Sequence, residues 1–476
     1  MKKKILIPLI ALILVLILTF SVSSCINSGI RNPSSSNNNN LGNPNNNADI
    51  QNPDDNITRE PYDYTNSIFL VDALFKNFSM FDIDYETAML AAIRAYVEAT
   101  GDKYAMFYTP EEFIELEQEA NGDLYGIGVQ VIFDYKEYFI EIILTMPNSP
   151  AQSTLLIGDK ITHILIDGQK ISLVDLVLEN IEKSKKIYPN YTEEEINNIA
   201  CYETLQYAVS KLKGPVGTYA EFTIDRNGNS IDMKVQRAKV KTLSVTAKTS
   251  TKDPTVGIVS ISQFDLTTPT QFKDCMDSLI EQGCDKFVFD VRNNPGGKVA
   301  SVTAVLSTLL PKDTVLFSTK DYLGTVETIQ VKPVDYSYDP NYSTCSVTND
   351  DIGKYAGYEF VVLANENSAS SAEIFTAALR DNNIAQIVGV NTYGKGSVQS
   401  VIPLDYYNQN GTNYYGALKL TTKLHFPPCG IGYDGGIGIA PNYTVELEGI
   451  ATETHFYKLT EEIDNQLQKA VSVLID

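Results

Sequence analysis

Histidine is scarce. The 476 residues contain 3, His163, His425 and His455, so catalysis through an imidazole has few carriers. His163 lies in a β-rich run and His455 near the C-terminus, both of which read as structural or exposed positions. His425, before Phe426-Pro427-Pro428, stays open as a base. Also missing are G-x-S-x-G, H-E-x-x-H and a P-loop, which excludes the nucleophile elbow, the helix-borne zinc site and the phosphate cradle in their usual forms. The six cysteines, at 25, 201, 275, 284, 345 and 429, have no C-x-x-C spacing. Neither a zinc site nor a full disulfide framework is indicated, and they read as small core hydrophobes. Basic residues fall short too, 37 Lys and Arg against 59 Asp and Glu, for a net charge of −22. A surface of that sign repels a phosphate backbone, so nucleic acid is not an expected partner, and no metal or cofactor is called for.

Long apolar runs are absent as well. The N-terminal run Ile5 to Phe20 has 16 residues, below the ~18 to 20 that cross a bilayer. With Lys2-Lys3-Lys4 before it and Ser23-Ser24-Cys25 after it, residues 1–24 read as a secretory signal, a retained anchor helix being the competing reading. Val22-Ser23-Ser24-Cys25 resembles the lipobox of bacterial lipoproteins, which implies lipidation at Cys25 and a protein exported and anchored by lipid on the outer face of the bacterial cytoplasmic membrane. Cleavage removes three lysines, and −22 − 3 leaves −25. From Asn27 to Asn56, 12 of 30 residues are Asn, with almost nothing apolar to bury. Residues 25–61 are therefore expected to be a disordered tether, with a reach of roughly 30 Å.

What is present suits a soluble body of more than one core. Hydrophobic residues make up 43% and charged ones 20%, ordinary globular values, and the length suggests about three domains. Residues 62–119 read as helical, with Ile68, Leu70, Val71, Leu74 and Phe75 at three-to-four spacing and Thr109-Pro110-Glu111-Glu112 as a helix start. From Leu124 the period shortens to two, with strands expected at Gly128–Phe133, Phe139–Leu144 and Ala220–Ile224. A helical, polar stretch near 172–212 looks like an insertion. After about Lys241 strands and helices alternate (Val256–Ile261, Pro269–Gln282, Lys286–Val291, Val299–Leu310, Tyr358–Ala364, Ser371–Arg380, Ala385–Val390), the pattern of an α/β layer fold. A helix over Thr460–Leu474 closes the chain.

Three stretches carry candidate chemistry. Asn367-Ser368-Ala369-Ser370-Ser371-Ala372-Glu373 follows an apolar strand, and a Ser at a strand-to-helix junction sits where backbone N–H groups and the helix dipole favour an oxyanion. The same Ser370-x-x-Glu373 also fits a capping box. Gly394-Lys395-Gly396 places a lysine between glycines, Ser397 to Ile402 after it reads as a strand, and in an extended chain Gln399 shares the lysine's face; a Lys made neutral by burial can serve a Ser as base. Arg292-Asn293-Asn294-Pro295-Gly296-Gly297 ends a strand in a turn able to aim N–H groups at a carbonyl. Gly430-Ile431-Gly432-Tyr433-Asp434-Gly435 matches a dinucleotide fingerprint, but Gly436 to Pro441 behind it cannot form the helix that motif needs, so it reads as a loop.

Together these stretches resemble the carboxyl-terminal processing proteases, tail-specific serine peptidases with a PDZ domain. Asp290 to Gly297, Ser368 to Ile374 and Tyr393 to Gln399 occur in that family's order and spacing. The resemblance implies Ser370 as nucleophile, Lys395 as base, Gln399 as its orienting amide, and an oxyanion hole from Ser371 with Gly296 or Gly297. Upstream, Gly126-Ile127-Gly128-Val129 resembles the loop of the PDZ domain that binds a peptide C-terminus, Ile127 and Val129 being expected to touch the last side chain. Ser153-Thr154-Leu155-Leu156 departs from the family's small-glycine pattern. The implied fold is α/β multidomain: a helical N-terminal segment (62–119), a β-rich PDZ-like domain (120–240) and an α/β serine-peptidase core of layered strands and helices (241–476). The expected function is a serine endopeptidase acting on protein or peptide substrates with exposed C-termini. The alternative is a non-catalytic, membrane-tethered peptide-binding or scaffold lipoprotein. Oligomeric state stays open, a homodimer included.

Overall fold

The computed structural model describes residues 65–333, 343–409, 412–452 and 454–475. The expected signal segment, the Asn-rich tether and Cys25 lie outside them. Among the described residues no helix is long and apolar enough to cross a membrane. These residues form two compact units: 65–107 with 418–420, and the remainder.

The smaller unit is built on helices Thr65–Phe78 and Tyr85–Ala99. Asp84 caps the second, its carboxylate accepting from the Thr87 N–H at 3.0 Å.

In the larger unit, a six-stranded sheet carries the α/β layers. Its order is Val245–Thr249, Val256–Ile261, Lys286–Asp290, Glu359–Ala364, Ala385–Gly389 and Tyr443–Thr444. All neighbours after the first pair are parallel. Because the parallel strands succeed one another in one direction, the helices that connect them collect on one face. Helices Thr268–Glu281, Val299–Leu309 and Ser371–Asp381 bury Phe272, Leu306 and Phe375 there, against Val259, Phe287, Phe289 and Val362. The other face is covered by the final helix, Asn465–Ile475, whose Leu467, Val471 and Leu474 meet Ile258, Val288, Val361 and Leu363. Burial on both faces is why these strands read as unbroken apolar runs.

The β-rich module holds a second six-stranded sheet, ordered Val129–Phe133, Ile140–Thr145, Lys160–Ile166, Tyr219–Arg226 and Asn229–Gln236, with Gln169–Ser172 also on Lys160–Ile166. The helical stretch resolves into Leu173–Ile187 and Glu193–Leu212. The second helix is not peripheral: Ala200, Leu205, Ala208 and Leu212 pack with Ile140, Ile161 and Phe222 in the module's core. A long hairpin, Ser397–Gln409 with Thr412–Phe426, also pairs with Val315–Asp321. Its first strand runs well past the Ile402 that the sequence suggests.

Among the described cysteines, Cys201, Cys284 and Cys345 are buried and Cys275 partly so, as expected, but Cys429 is exposed. It lies in the turn after Pro427-Pro428, its backbone N–H given to Asp381 Oδ2 at 3.1 Å.

Candidate active site

The three candidate stretches meet because of topology. Strands Lys286–Asp290, Glu359–Ala364 and Ala385–Gly389 are adjacent and parallel, and one stretch follows the carboxyl end of each, where open α/β sheets place their sites. Direct bonds tie them together. Ser368 Oγ donates to Val291 O at 2.8 Å, the Ala369 N–H to Asn294 O at 2.9 Å, and the Tyr393 N–H to Ser368 O at 3.0 Å. Asn293 Oδ1 accepts from the side-chain amides of Asn365 and Asn367, both at 2.9 Å.

Ser370 stands at the N-terminus of helix Ser371–Asp381 with φ +54° and ψ −115°, a region that costs a non-glycine residue about 1–3 kcal/mol. Strain of this size persists only where the surroundings enforce it, and here they do. Behind it, Glu373 is fully buried. Its Oε2 accepts from the N–H of Ser370 at 2.9 Å and of Lys395 at 2.8 Å, and its Oε1 from the N–H of Gly394 at 2.7 Å and from Thr392 Oγ1 at 2.6 Å. Burial pushes its pKa above the ordinary glutamate value while these four donors pull the other way. Part of the capping box is thus present, but its carboxylate also grips a loop some twenty residues downstream.

The glycine turn closes onto Ser370. Gly296 has φ +103°, and a Cβ on it would stand 2.8 Å from Ser370 Cβ and from Ser371 N. Its own N–H is already given to Asn294 Oδ1 at 2.8 Å. The Gly297 carbonyl accepts from Ser371 Oγ at 2.9 Å, while the N–H groups of Gly297 and Ser371 have no acceptor among the described residues. The turn is braced from behind by Arg292, which is almost wholly buried. Its guanidinium bonds Asp290 at 2.7 and 3.0 Å, Asp464 at 2.7 and 3.1 Å and Gln466 at 3.1 Å, and lies over the Phe456 ring at 4.8 Å. Two carboxylates hold it firmly charged, pushing its pKa up against the cost of burial.

Lys395 lies outside the strand that follows, which begins at Ser397, so strand alternation does not relate it to Gln399. The Gln399 amide instead donates to Ser397 Oγ at 3.0 Å and Thr421 Oγ1 at 3.2 Å. Over the lysine turn lies the glycine-rich loop: the Gly396 N–H donates to Asp434 Oδ1 at 2.7 Å, the Gly436 N–H to Gly394 O at 3.1 Å, and a Cβ on Gly394 would come within 2.6 Å of Gly436 Cα. His425 is buried, its Nε2 3.1 Å from Lys395 O and its Nδ1 2.7 Å from the Tyr433 hydroxyl. With both ring nitrogens engaged, it is not placed as a base.

In the β-rich module, Gly128 has φ +80°, and a Cβ there would meet Ser149 Cβ at 2.2 Å. The N–H groups of Ile127 and Gly128 find no acceptor among the described residues, while Ile127 O accepts from Ala151 N at 3.0 Å and Gly128 O from Met146 N at 2.9 Å. Contrary to the apolar contact expected of them, Ile127 and Val129 turn inward and are 2% exposed, because the module's core needs them. Strand Val129–Phe133 ends its sheet, leaving one edge without a partner strand among the described residues. No group of His, Cys, Asp and Glu among the described residues could hold a metal.

Residues 255–445 match the profile of Peptidase family S41. A probable CtpA-like serine protease of Staphylococcus saprophyticus is 26% identical over 365 residues, 77% of this chain and 62% of that protein. A carboxy-terminal-processing protease of Bartonella bacilliformis is 27% identical over 352 residues, 72% of this chain and 67% of that protein. The chain thus spans roughly three fifths to two thirds of the length of the curated relatives it matches. Among solved structures, a putative S41 protease from Bacteroides fragilis aligns over 85% of this chain and 97% of its own, with 14% identity and a TM-score of 0.45. A photosystem II D1 C-terminal processing protease aligns over 81% and 88%, with 19% identity and a TM-score of 0.40.

Proposed function

On the premise that the chain carries a peptidase family S41 domain over residues 255–445, we propose that it is a serine endopeptidase cutting protein substrates recognised by their C-termini. Ser370 Oγ attacks the scissile carbonyl, and the Lys395 amine takes its proton and returns it to the leaving amine. The Oε1 of Gln399 orients that amine. The developing oxyanion is received by the N–H groups of Ser371 and Gly297, the two left without an acceptor, rather than by Gly296, whose N–H Asn294 already holds. One observation carries the reading: a single buried carboxylate, Glu373, fixes the backbone of both the nucleophile and the base. A non-catalytic scaffold has no use for a strained serine tied in this way to a lysine turn.

The β-rich module is read as PDZ-like. The N–H groups of Ile127 and Gly128 form a nest for a terminal carboxylate, and the open edge of Val129–Phe133 accepts an extended peptide. Cys25 is read as the lipid-bearing first residue of an exported chain held on the outer face of the cytoplasmic membrane, because a lipoprotein's several acyl chains anchor it where one would not. Labelled palmitate should enter the wild type and not Cys25→Ala; equal labelling would refute the lipoprotein reading.

The catalytic reading is tested on casein. Ser370→Ala, Lys395→Ala and Lys395→Arg should each abolish turnover with the melting temperature retained, since Arg cannot give up its proton. The double alanine variant should be no worse than either single, as expected of groups acting as a unit. Proteolysis near wild type by Lys395→Ala would dismiss the lysine as base.

A further inference from the structure

We infer that His425 and Tyr433 are positioning residues for Lys395, a neutral imidazole of fixed tautomer that pins the lysine's own carbonyl. The inference rests on Lys395 being the base. A carbonyl oxygen can only accept, so the contact of 3.1 Å between His425 Nε2 and Lys395 O puts the ring proton on Nε2. That leaves a lone pair on Nδ1, which takes the hydroxyl hydrogen of Tyr433 at 2.7 Å. The imidazole therefore has neither a proton to lend nor a lone pair to spare. Its setting agrees: burial pushes its pKa down to about 4 and raises that of Tyr433 well above the ordinary value, so the pair stays neutral, with Tyr433 a donor. The charged groups around the pair are Lys395 on the turn, Asp434 on the glycine-rich loop, Glu373, Arg380 and Asp381 on the helix after Ser370.

The need for such a pin follows from the turn itself. Gly394 has φ +85°, and a lysine between two glycines has little local restraint on the direction of its Cα–Cβ bond. Direction must be imposed from outside, and it is imposed on both sides of the residue. Glu373 holds the Lys395 N–H and the His425 ring holds its C=O, while the backbone N–H of His425 binds Gly396 O at 2.8 Å. An error of about 1 Å at a reacting amine can cost on the order of 100-fold in rate.

The test compares His425→Phe, His425→Gln and Tyr433→Phe with wild type and Lys395→Ala, reading kcat, KM, the pH profile of kcat/KM and the melting temperature. His425→Phe should lose roughly 10- to 100-fold in kcat with KM unchanged and with the lysine limb of the pH profile displaced. His425→Gln, whose amide can donate to the same carbonyl, should recover part of the rate. Tyr433→Phe should be milder, and no worse when combined with His425→Phe. If His425→Phe or Tyr433→Phe lowers the melting temperature but keeps wild-type kcat and pH profile, the residues merely pack and the inference is overturned. Should His425→Phe fail to fold, His425→Gln and Tyr433→Phe decide by the same readouts. Activity surviving in Lys395→Ala but lost in His425→Gln has a different meaning: the lysine reading itself falls, and the imidazole is the base.

Discussion

Ser370 and Lys395, 25 residues apart in the chain, give their backbone N–H groups to the same oxygen, Glu373 Oε2, at 2.9 and 2.8 Å. One atom thus anchors the backbone N–H of both the proposed nucleophile and the proposed base. Replacing Glu373 by Gln keeps the shape but presents an NH₂ to some of the four donors. Stability should fall by about 2–3 kcal/mol, the cost of leaving buried donors unpaired, and kcat should fall while KM holds. Urea midpoints and steady-state rates check this; a Glu373→Gln enzyme with native kcat would mean that the clamp serves folding alone.

Gly296→Ala tests the turn that closes on the serine. The new Cβ would press on Ser370 Cβ and Ser371 N at 2.8 Å, on a backbone with φ +103°. Displacing an oxyanion donor typically costs roughly 100- to 1,000-fold in kcat, and that loss is expected here with substrate binding retained. The relevant comparison is single-turnover cleavage against peptide binding.

Tail selection should depend on charge at the end of the substrate. If the proposed nest at Ile127 and Gly128 binds the terminal carboxylate, amidating the C-terminus of a cleavable peptide should raise KM about tenfold for a loss of ~1.4 kcal/mol. Gly128→Ala, with its Cβ 2.2 Å from Ser149, should reproduce the effect on the free-acid peptide. Equal kcat/KM for both peptide forms would show that the module does not select tails.

Acid should weaken the fold through His425. The unfolded chain takes up a proton near the ordinary 6.5, and the native imidazole refuses it until about 4. Stability from this residue is therefore whole above about 6.5, falls as pH drops through that window, and levels off below about 4. The loss amounts to about 3 kcal/mol at 1.36 kcal/mol per unit. The stability gap between wild type and His425→Phe should narrow by most of that amount between pH 7.5 and 4.5; a constant gap would contradict it.

Much of the α/β layer was legible because its strands are buried on both faces and its helices alternate with them. Val256–Ile261 falls where its apolar run does, and the three candidate stretches follow adjacent strands. Strand Val326–Gln330 left no signal, since most of its residues are exposed and no period of two survives. The hairpin strand from Ser397 was underestimated for the same reason, Val401, Ile402 and Leu404 all lying exposed. In the site, Ser370-x-x-Glu373 was readable as a local cap, yet its carboxylate also binds Thr392, Gly394 and Lys395, and no local pattern encodes bonds across that separation. The inward turn of Ile127 and the engagement of His425 with Tyr433 are likewise tertiary facts. The second has a trace in the sequence, Gly436 and Gly438, which let the loop lie against Gly394 and Thr392.

Arg292, wedged between Asp290 and Asp464 with Gln466 beside it, gives the C-terminal segment a say in timing. A chain made from its N-terminus presents Ser370 and Lys395 long before residue 464 exists, and until then the glycine turn lacks the brace behind it. If the proposed activity needs that brace, chains cut short before Asp464 should show no turnover of casein.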